Sequence, residues 1–171
     1  MQDHPFIPHP ARLSIVELLA DCSFRRTRRS GPGGQNRNKV ETAVVVEHKP
    51  TGIRAEANER RSQEQNRLVA IQRLRVRLAI EIRTRPPTEV SDLWKSRTTQ
   101  GKLSVSSEHA DFPAILAEAL DSIAANDFDL AGAAPYLAVS SSQLVKFLKL
   151  EPAALTLINR ERQARGQTTY R

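Results

Sequence analysis

Cysteine is nearly absent from this chain of 171 residues, and a lone Cys22 can form no intrachain disulfide. His4, His9, His48 and His109 are scattered, and with one thiol they make no metal-ligand spacing, so neither a metal nor any other cofactor is expected. Cys22 alternates with Phe24 at the start of a strand, which suits a small buried apolar residue; a nucleophilic role would need a base that the sequence does not place. Aromatic residues are also scarce, at 5%, with Trp94 the single tryptophan. No stretch approaches the roughly 18 apolar residues of a membrane span. The residues before Asp21 show no charged-then-apolar leader, so a cytoplasmic chain without membrane contact is expected.

Positive charge, by contrast, is plentiful: the formal net charge is +7 and the isoelectric point about 10.2. It is unevenly placed, with +8 in residues 1–110 and −1 in residues 111–171. Arg25, Arg26, Arg28, Arg29, Arg37 and Lys39 fall in one stretch without an acidic residue, which predicts strong positive potential and salt-sensitive binding to RNA. Arginine runs elsewhere serve as solvated strand edges that keep a sheet from pairing with another chain. What sits beside this run favours RNA.

That neighbour is Ser30-Gly31-Pro32-Gly33-Gly34-Gln35-Asn36-Arg37-Asn38-Lys39. Three glycines in four positions, interrupted by a proline, exclude both helix and paired strand and require a loop. Glycine's freedom at positive φ lets such a backbone approach another molecule closely, and successive N–H groups can form a nest for an oxyanion or a phosphate. The dinucleotide fingerprint and the Walker loop are both missing, and a valine-rich strand follows rather than a long helix.

Gly33-Gly34-Gln35 within this loop, with Asn38-Lys39 behind it, resembles the peptidyl-tRNA hydrolase domain of class I peptide chain release factors, in the small ribosome-rescue form. The similarity continues through Ala43 to Val46, the hairpin Pro50-Thr51-Gly52-Ile53, and Arg61-Ser62-Gln63 with Asn66, covering residues 22 to 83. It implies ribosome-dependent hydrolysis of the ester between a nascent peptide and the terminal ribose of P-site tRNA, with Gly33, Gly34 and Gln35 catalytic. Gln35 is then also a candidate for N-methylation by a glutamine methyltransferase. The implied partners are the rRNA of the large-subunit peptidyl transferase centre and peptidyl-tRNA, met by a monomer. Arg25, Arg26, Arg28, Arg29, Arg37, Asn38, Lys39, Arg61, Arg73 and Arg77 are the candidate RNA contacts.

Stop-codon decoding would need further domains for which this chain has no length, so a codon-independent rescue activity is expected. Two departures accompany the resemblance. Rescue hydrolases of this type usually end in a basic tail, whereas Arg160, Arg162, Arg165 and Arg171 are sparse; and Arg37 stands where the family usually has a small apolar residue. They keep a second class of function in view: a noncatalytic RNA-binding module or regulator with the same fold.

The remaining pattern predicts an α+β fold: a small, mostly antiparallel sheet carrying the loop, one long packed helix, then an all-α C-terminal region. Residues 1–85 would form the hydrolase domain, 86–110 a linker and 111–171 the helical region. Ser14 to Ala20 reads as a short helix, Cys22 to Arg28 and Thr42 to His48 as strands, and Ile53, Ala55 and Ala57 as the buried side of a third strand joined through Lys49-Pro50-Thr51-Gly52. From Ser62 to Ile82, Leu68, Ile71, Leu74, Leu78 and Ile82 form an apolar stripe. Asn66, Arg73 and Arg77 lie on the opposite face, either following a phosphate backbone or simply hydrated. Pro86-Pro87 ends the helix.

Leu103 to Ser106 reads as a further strand, while Trp94, Lys95, Arg97 and Lys102 offer either RNA stacking and pairing or, for the tryptophan, a packing plug. Four helices are expected beyond Asp111, which would cap the first with Pro113 in its opening turn. Leu130 to Leu137 makes the second, Ser140-x-x-Gln143 opens the third at capping-box spacing, and Pro152 begins a fourth that stops near Gly166. Asp129 to Leu150 is similar to a helix-turn-helix, with Ser141, Ser142, Gln143, Lys146 and Lys149 on the would-be recognition helix. Packing or protein contact is the alternative role, and the near-neutral charge of this region favours it.

Overall fold

The structure, a computed structural model, describes residues 8–27 and 43–171. These divide into two compact units, one comprising Leu13–Leu78 and the other the described part of Met1–Arg12 with Ala79–Arg171. The α+β class expected from the sequence is the class observed.

In the first unit a short helix α1 (Ile15–Ala20) is capped by Ser14, whose Oγ accepts from the Glu17 N–H while the Glu17 carboxylate accepts from the Ser14 N–H. This reciprocal capping box draws Glu17 below the usual carboxylate range. Strands β1 (Cys22–Thr27), β2 (Ala43–His48) and β3 (Ile53–Ala57) then form an antiparallel sheet in the order β1-β2-β3. Gly52 closes the β2–β3 hairpin at φ 69°, as its place in the turn predicts, and its N–H donates to the His48 carbonyl.

The register sorts the sheet residues into two faces. Cys22, Phe24 and Arg26 stand level with His48, Val46 and Val44, and these with Ile53, Ala55 and Ala57. That face is largely buried, whereas the other carries Ser23 and Arg25 and the cross-strand pair Glu47–Arg54 at 2.7 Å. The long helix α2 (Gln63–Glu81) contributes Ala70, Ile71, Leu74 and Leu78 to the core. Leu68, expected on that stripe, is instead 58% exposed: the buried residues advance by three and four through 71, 74 and 78, and Leu68 lies on the flank of that line.

The second unit is built on α4 (Phe112–Ala125), whose residues from Phe112 through Ile123 are all buried. A helix apolar around its circumference belongs inside a bundle. The unit also holds α3 (Asp92–Arg97), α5 (Leu130–Leu137), α6 (Ser141–Leu148) and α7 (Pro152–Ala164); α5 packs directly on α4, the Phe147 ring of α6 lies 5.5 Å from that of Phe112, and α7 packs on α6. Four C-terminal helices were expected and occur, but the caps differ in detail. Asp111 occupies the N-cap of α4 without a side-chain cap bond, because its carboxylate is taken by Arg97 at 2.5 Å. Ser140 does accept from the Gln143 N–H. The expected strand over Leu103 to Ser106 shrinks to β5 (Lys102–Leu103), paired with β4 (Thr98–Thr99) through Gln100 and Gly101, both at positive φ. That two-residue turn matches strand twist, and only two rungs form.

Residues 83–91 are tied to α4 through two buried carboxylates. Asp121 accepts from Arg83 at 3.1 Å, from the Thr84 N–H at 3.0 Å and from the Thr84 hydroxyl at 2.5 Å. One turn earlier, Glu118 accepts from the Ser91 N–H at 2.6 Å and its hydroxyl at 2.5 Å, with Arg12 at 3.6 Å. Trp94 is 1% exposed and its indole N–H donates to the Leu137 carbonyl at 2.8 Å, which makes it a packing plug and closes the RNA-stacking alternative.

Candidate functional site

The Gly-Gly-Gln loop joins two strands whose pairing sets where it begins and ends. The register of β1 and β2 closes at Thr27 opposite Ala43, so the connection leaves and re-enters the sheet at adjacent positions. Gly33, Gly34 and Gln35, and with them Arg28, Arg29, Arg37, Asn38 and Lys39, lie outside the described residues. What the structure supplies is the platform: an antiparallel pair held from Cys22–His48 to Thr27–Ala43.

Of the candidate RNA contacts in the platform, Arg25 and Arg26 are both exposed. Strand alternation sends them to opposite faces, Arg26 with the helix-covered set and Arg25 with the open set, so one flat partner cannot lie against both. On the covered side Phe24 remains 39% exposed, with the Arg67 guanidinium 4.7 Å from its ring centre. That cation–π contact was not legible, because β1 and α2 are far apart in sequence.

β3 stops at the same end of the sheet, since Val44 stands opposite Ala57, and residues 58–62 form the turn from there into α2. Asn66 organises this turn. Its Oδ1 accepts from the Arg60 N–H at 2.8 Å, its Nδ2 donates to the Arg60 carbonyl at 3.0 Å, and it is fully buried. A polar stripe through Asn66 facing solvent or phosphate is therefore corrected: this amide is committed to the backbone it reads. Arg73 donates to both Glu59 oxygens, at 2.7 and 3.2 Å, and to the Glu56 carbonyl at 2.8 Å. Backbone N–H bonds from Glu59 itself and Asn58, with Arg73 beside them, hold the Glu59 carboxyl below its usual range. Arg77 donates to the Arg54 carbonyl. Both arginines thus brace α2 against β3 while remaining exposed, and Arg61 is exposed on the turn.

Cys22 is buried and its thiol donates to the Leu18 carbonyl at 3.2 Å; burial, aided by Asp21, pushes its pKa up. A thiol so held is a poor nucleophile, which agrees with the packing role read from the sequence. Among the described residues no group of three or more His, Cys, Asp or Glu side chains is placed to hold a metal ion. No helix among them is long and apolar enough to cross a membrane.

The arginines at the C-terminal end are also engaged. Arg162, 7% exposed, donates to the Thr168 carbonyl at 2.6 Å and the Phe128 carbonyl at 2.9 Å and lies 4.2 Å from the Tyr170 ring centre. The Tyr170 hydroxyl donates to Asp129 at 2.9 Å, which is the leading reason that this carboxyl sits below its usual range. Arg165 pairs with Glu161 at 2.9 Å and lies over Phe128. These side chains hold residues 167–170 against the bundle.

Residues 14–110 match the model of the RF-1 domain. The chain is 42% identical over 107 residues to peptide chain release factor 1 of Chloroherpeton thalassium, covering 63% of this chain and 30% of that protein. It is 41% identical over 90 residues to the chloroplastic peptide chain release factor PrfB1 of Arabidopsis thaliana, covering 52% and 19%. With the mitochondrial peptide chain release factor 1-like protein of Rattus norvegicus, identity is 40% over 72 residues, covering 42% and 19%. The chain thus spans between about a fifth and a third of the length of these relatives. The match takes in the three-stranded platform, the Gly-Gly-Gln loop and the whole of α2, and on it the chain belongs to the RF-1 domain family.

Proposed function

We propose that this protein hydrolyses the ester that joins a nascent peptide to P-site tRNA on the ribosome, and that Gly33, Gly34 and Gln35 carry the catalysis. The observation that carries this reading is the RF-1 domain match over residues 14–110, which contains that tripeptide between two strands whose ends are paired. The relatives are named as release factors.

Water attacks the ester carbonyl carbon, negative charge builds on its oxygen, and the ribose hydroxyl leaves with a proton. The Gln35 backbone N–H is the donor to that oxyanion, a contribution of about 2.7–4 kcal/mol when such a donor is preoriented. The Gln35 side-chain amide, both donor and acceptor, helps orient water and excludes bulkier nucleophiles. Gly33 and Gly34 are required because a Cβ would obstruct the backbone that aims this N–H. Ribosomal RNA and the tRNA complete the site, with Arg25, Arg28, Arg29, Arg37, Asn38, Lys39 and Arg61 contacting phosphates. Arg26, Arg73 and Arg77 contribute from the covered side and the brace of α2. A glutamine methyltransferase is the proposed modifier of Gln35.

In this reading residues 1–85 do the chemistry, and the segments 86–110 and 111–171 serve recruitment of a codon-independent, rescue-type hydrolase in the cytoplasm. The test is release of labelled formyl-methionine from P-site tRNA on ribosomes carrying either a truncated message or an intact sense codon. Wild type should release, and prefer the truncated message; Gln35→Ala, which keeps the backbone N–H and removes the side chain that orients water, should bind ribosomes equally and release more slowly, by less than the roughly 10²–10³-fold that loss of the N–H donor itself would cost. Tight binding with no release by either form would establish the noncatalytic RNA-binding module instead.

A further inference from the structure

In the unit containing Ala79–Arg171, a cleft of about 460 Å³ opens between α6 and the segment that follows β5. We infer that this cleft is a second RNA-binding site, separate from the Gly-Gly-Gln loop, which holds a phosphate of a single RNA strand between Lys102 and Lys146 with the adjoining nucleotide against its apolar floor.

Lys102 comes from β5 and Lys146 from the exposed side of α6. Neither side-chain ammonium makes an ion pair or hydrogen bond with another described residue, and no carboxylate lines the cleft. Ser104, Ser106 and Gln143 add hydroxyl and amide donors. Arg97 also lines it, but Asp111 already neutralises that guanidinium through two bonds at 3.1 and 2.5 Å, so the lysines supply the uncompensated charge. This charge is local, because Lys and Arg equal Asp and Glu at eleven each over residues 79–171.

Val105 and Leu150 add apolar lining, and Leu150 is 41% exposed, so an apolar surface is open to a bound molecule. Cation pairs over an apolar floor suit a ligand that is an anion on one side and a flat apolar face on the other, which is a nucleotide. An acidic peptide would satisfy the lysines and leave the floor uncovered. The volume falls within the roughly 300–1,000 Å³ that holds a small organic group. That the strand is RNA rests on the ribosomal function proposed above.

The test uses the full chain, a short labelled single-stranded RNA, and fluorescence anisotropy across a salt series. Lys102→Gln/Lys146→Gln should bind more weakly, with a slope of log affinity against log salt shallower by about 0.7, the one phosphate the two lysines share. Leu150→Glu, which keeps both lysines, should also weaken binding, and more so as salt is lowered. An unchanged slope in the double variant overturns the inference. So does displacement of the RNA from wild type by oligoglutamate at equal charge concentration, or an equal slope change with duplex DNA. Gln35→Ala should keep the wild-type slope; a lysine-dependent slope in a protein that never releases peptide would leave the cleft standing and remove the hydrolase.

Discussion

His9 shows how far two neighbours determine the state of one side chain. Its Nδ1 accepts from the Ala11 N–H at 3.0 Å, so the neutral ring carries its proton on Nε2, which donates to the Ile82 carbonyl at 3.1 Å. A second proton at Nδ1 would face the Ala11 donor. Burial lowers the His9 pKa below 6.5, with Asp121 opposing and Arg83 and Arg12 reinforcing. His48 is lowered as well, again by burial, with Asp21 opposing. The sign follows: the unfolded chain binds these protons more readily, so stability is fully present above the unfolded value of 6.5 and falls as pH drops through the folded values. Thermal unfolding followed from about pH 7.5 to about pH 5 should show a declining Tm. His9→Asn, which keeps an acceptor for Ala11 and cannot titrate, should lower Tm at the upper pH yet flatten the decline; an equally steep decline would remove His9 from the account.

Among the elements, α4 is the one whose polar residues matter most. Glu118 and Asp121 occur in a helix otherwise made of alanine, leucine, isoleucine and phenylalanine apart from Pro113 and Ser122, and both are at most 2% exposed. Glu118→Ala removes the acceptor for Ser91 and leaves Arg12 without its partner, so we expect a loss of about 3–5 kcal/mol in chemical denaturation. A loss under about 1 kcal/mol would mean that water replaces the carboxylate. Periodicity makes the existence of α2 and α4 legible, and turn chemistry makes the β2–β3 hairpin legible, because those signals are local. What was not legible is mostly long-range, the tie of residues 83–91 to α4 and the burial of Trp94 against Leu137, together with the use of Asn66 to read Arg60, six residues away, where no periodicity or turn signal marks the pair. The available signal was the acidic pair inside an apolar helix, which demands partners from elsewhere. Of the candidate site, the tripeptide could be named from the sequence through the family resemblance of its local motif, whereas the cleft could not, since its lining from β5 and from α6 comes together only after the chain has passed through two further helices.

Across the whole chain, charge is segregated: residues 1–110 carry +8 and residues 111–171 carry −1. Counterion release makes affinity for RNA track the number of phosphates contacted rather than total charge, so the two regions should differ in their effect on salt dependence. Arg25 sits on the strand that leads into the Gly-Gly-Gln loop and Arg61 on the turn that leaves β3 at the same end of the sheet. Arg160, by contrast, lies on α7 paired with Glu161 at 3.2 Å. Arg25→Glu/Arg61→Glu should weaken ribosome binding and make the salt slope shallower by about 1.4–1.8, two contacts at about 0.7–0.9 each. Arg160→Glu should leave both nearly unchanged. Ribosome pelleting across a salt series reads the difference. Equal slopes in all three proteins would mean that neither Arg25 nor Arg61 meets a phosphate, and the electrostatic part of ribosome binding would then have to come from residues 28–42 or from the Lys102–Lys146 cleft.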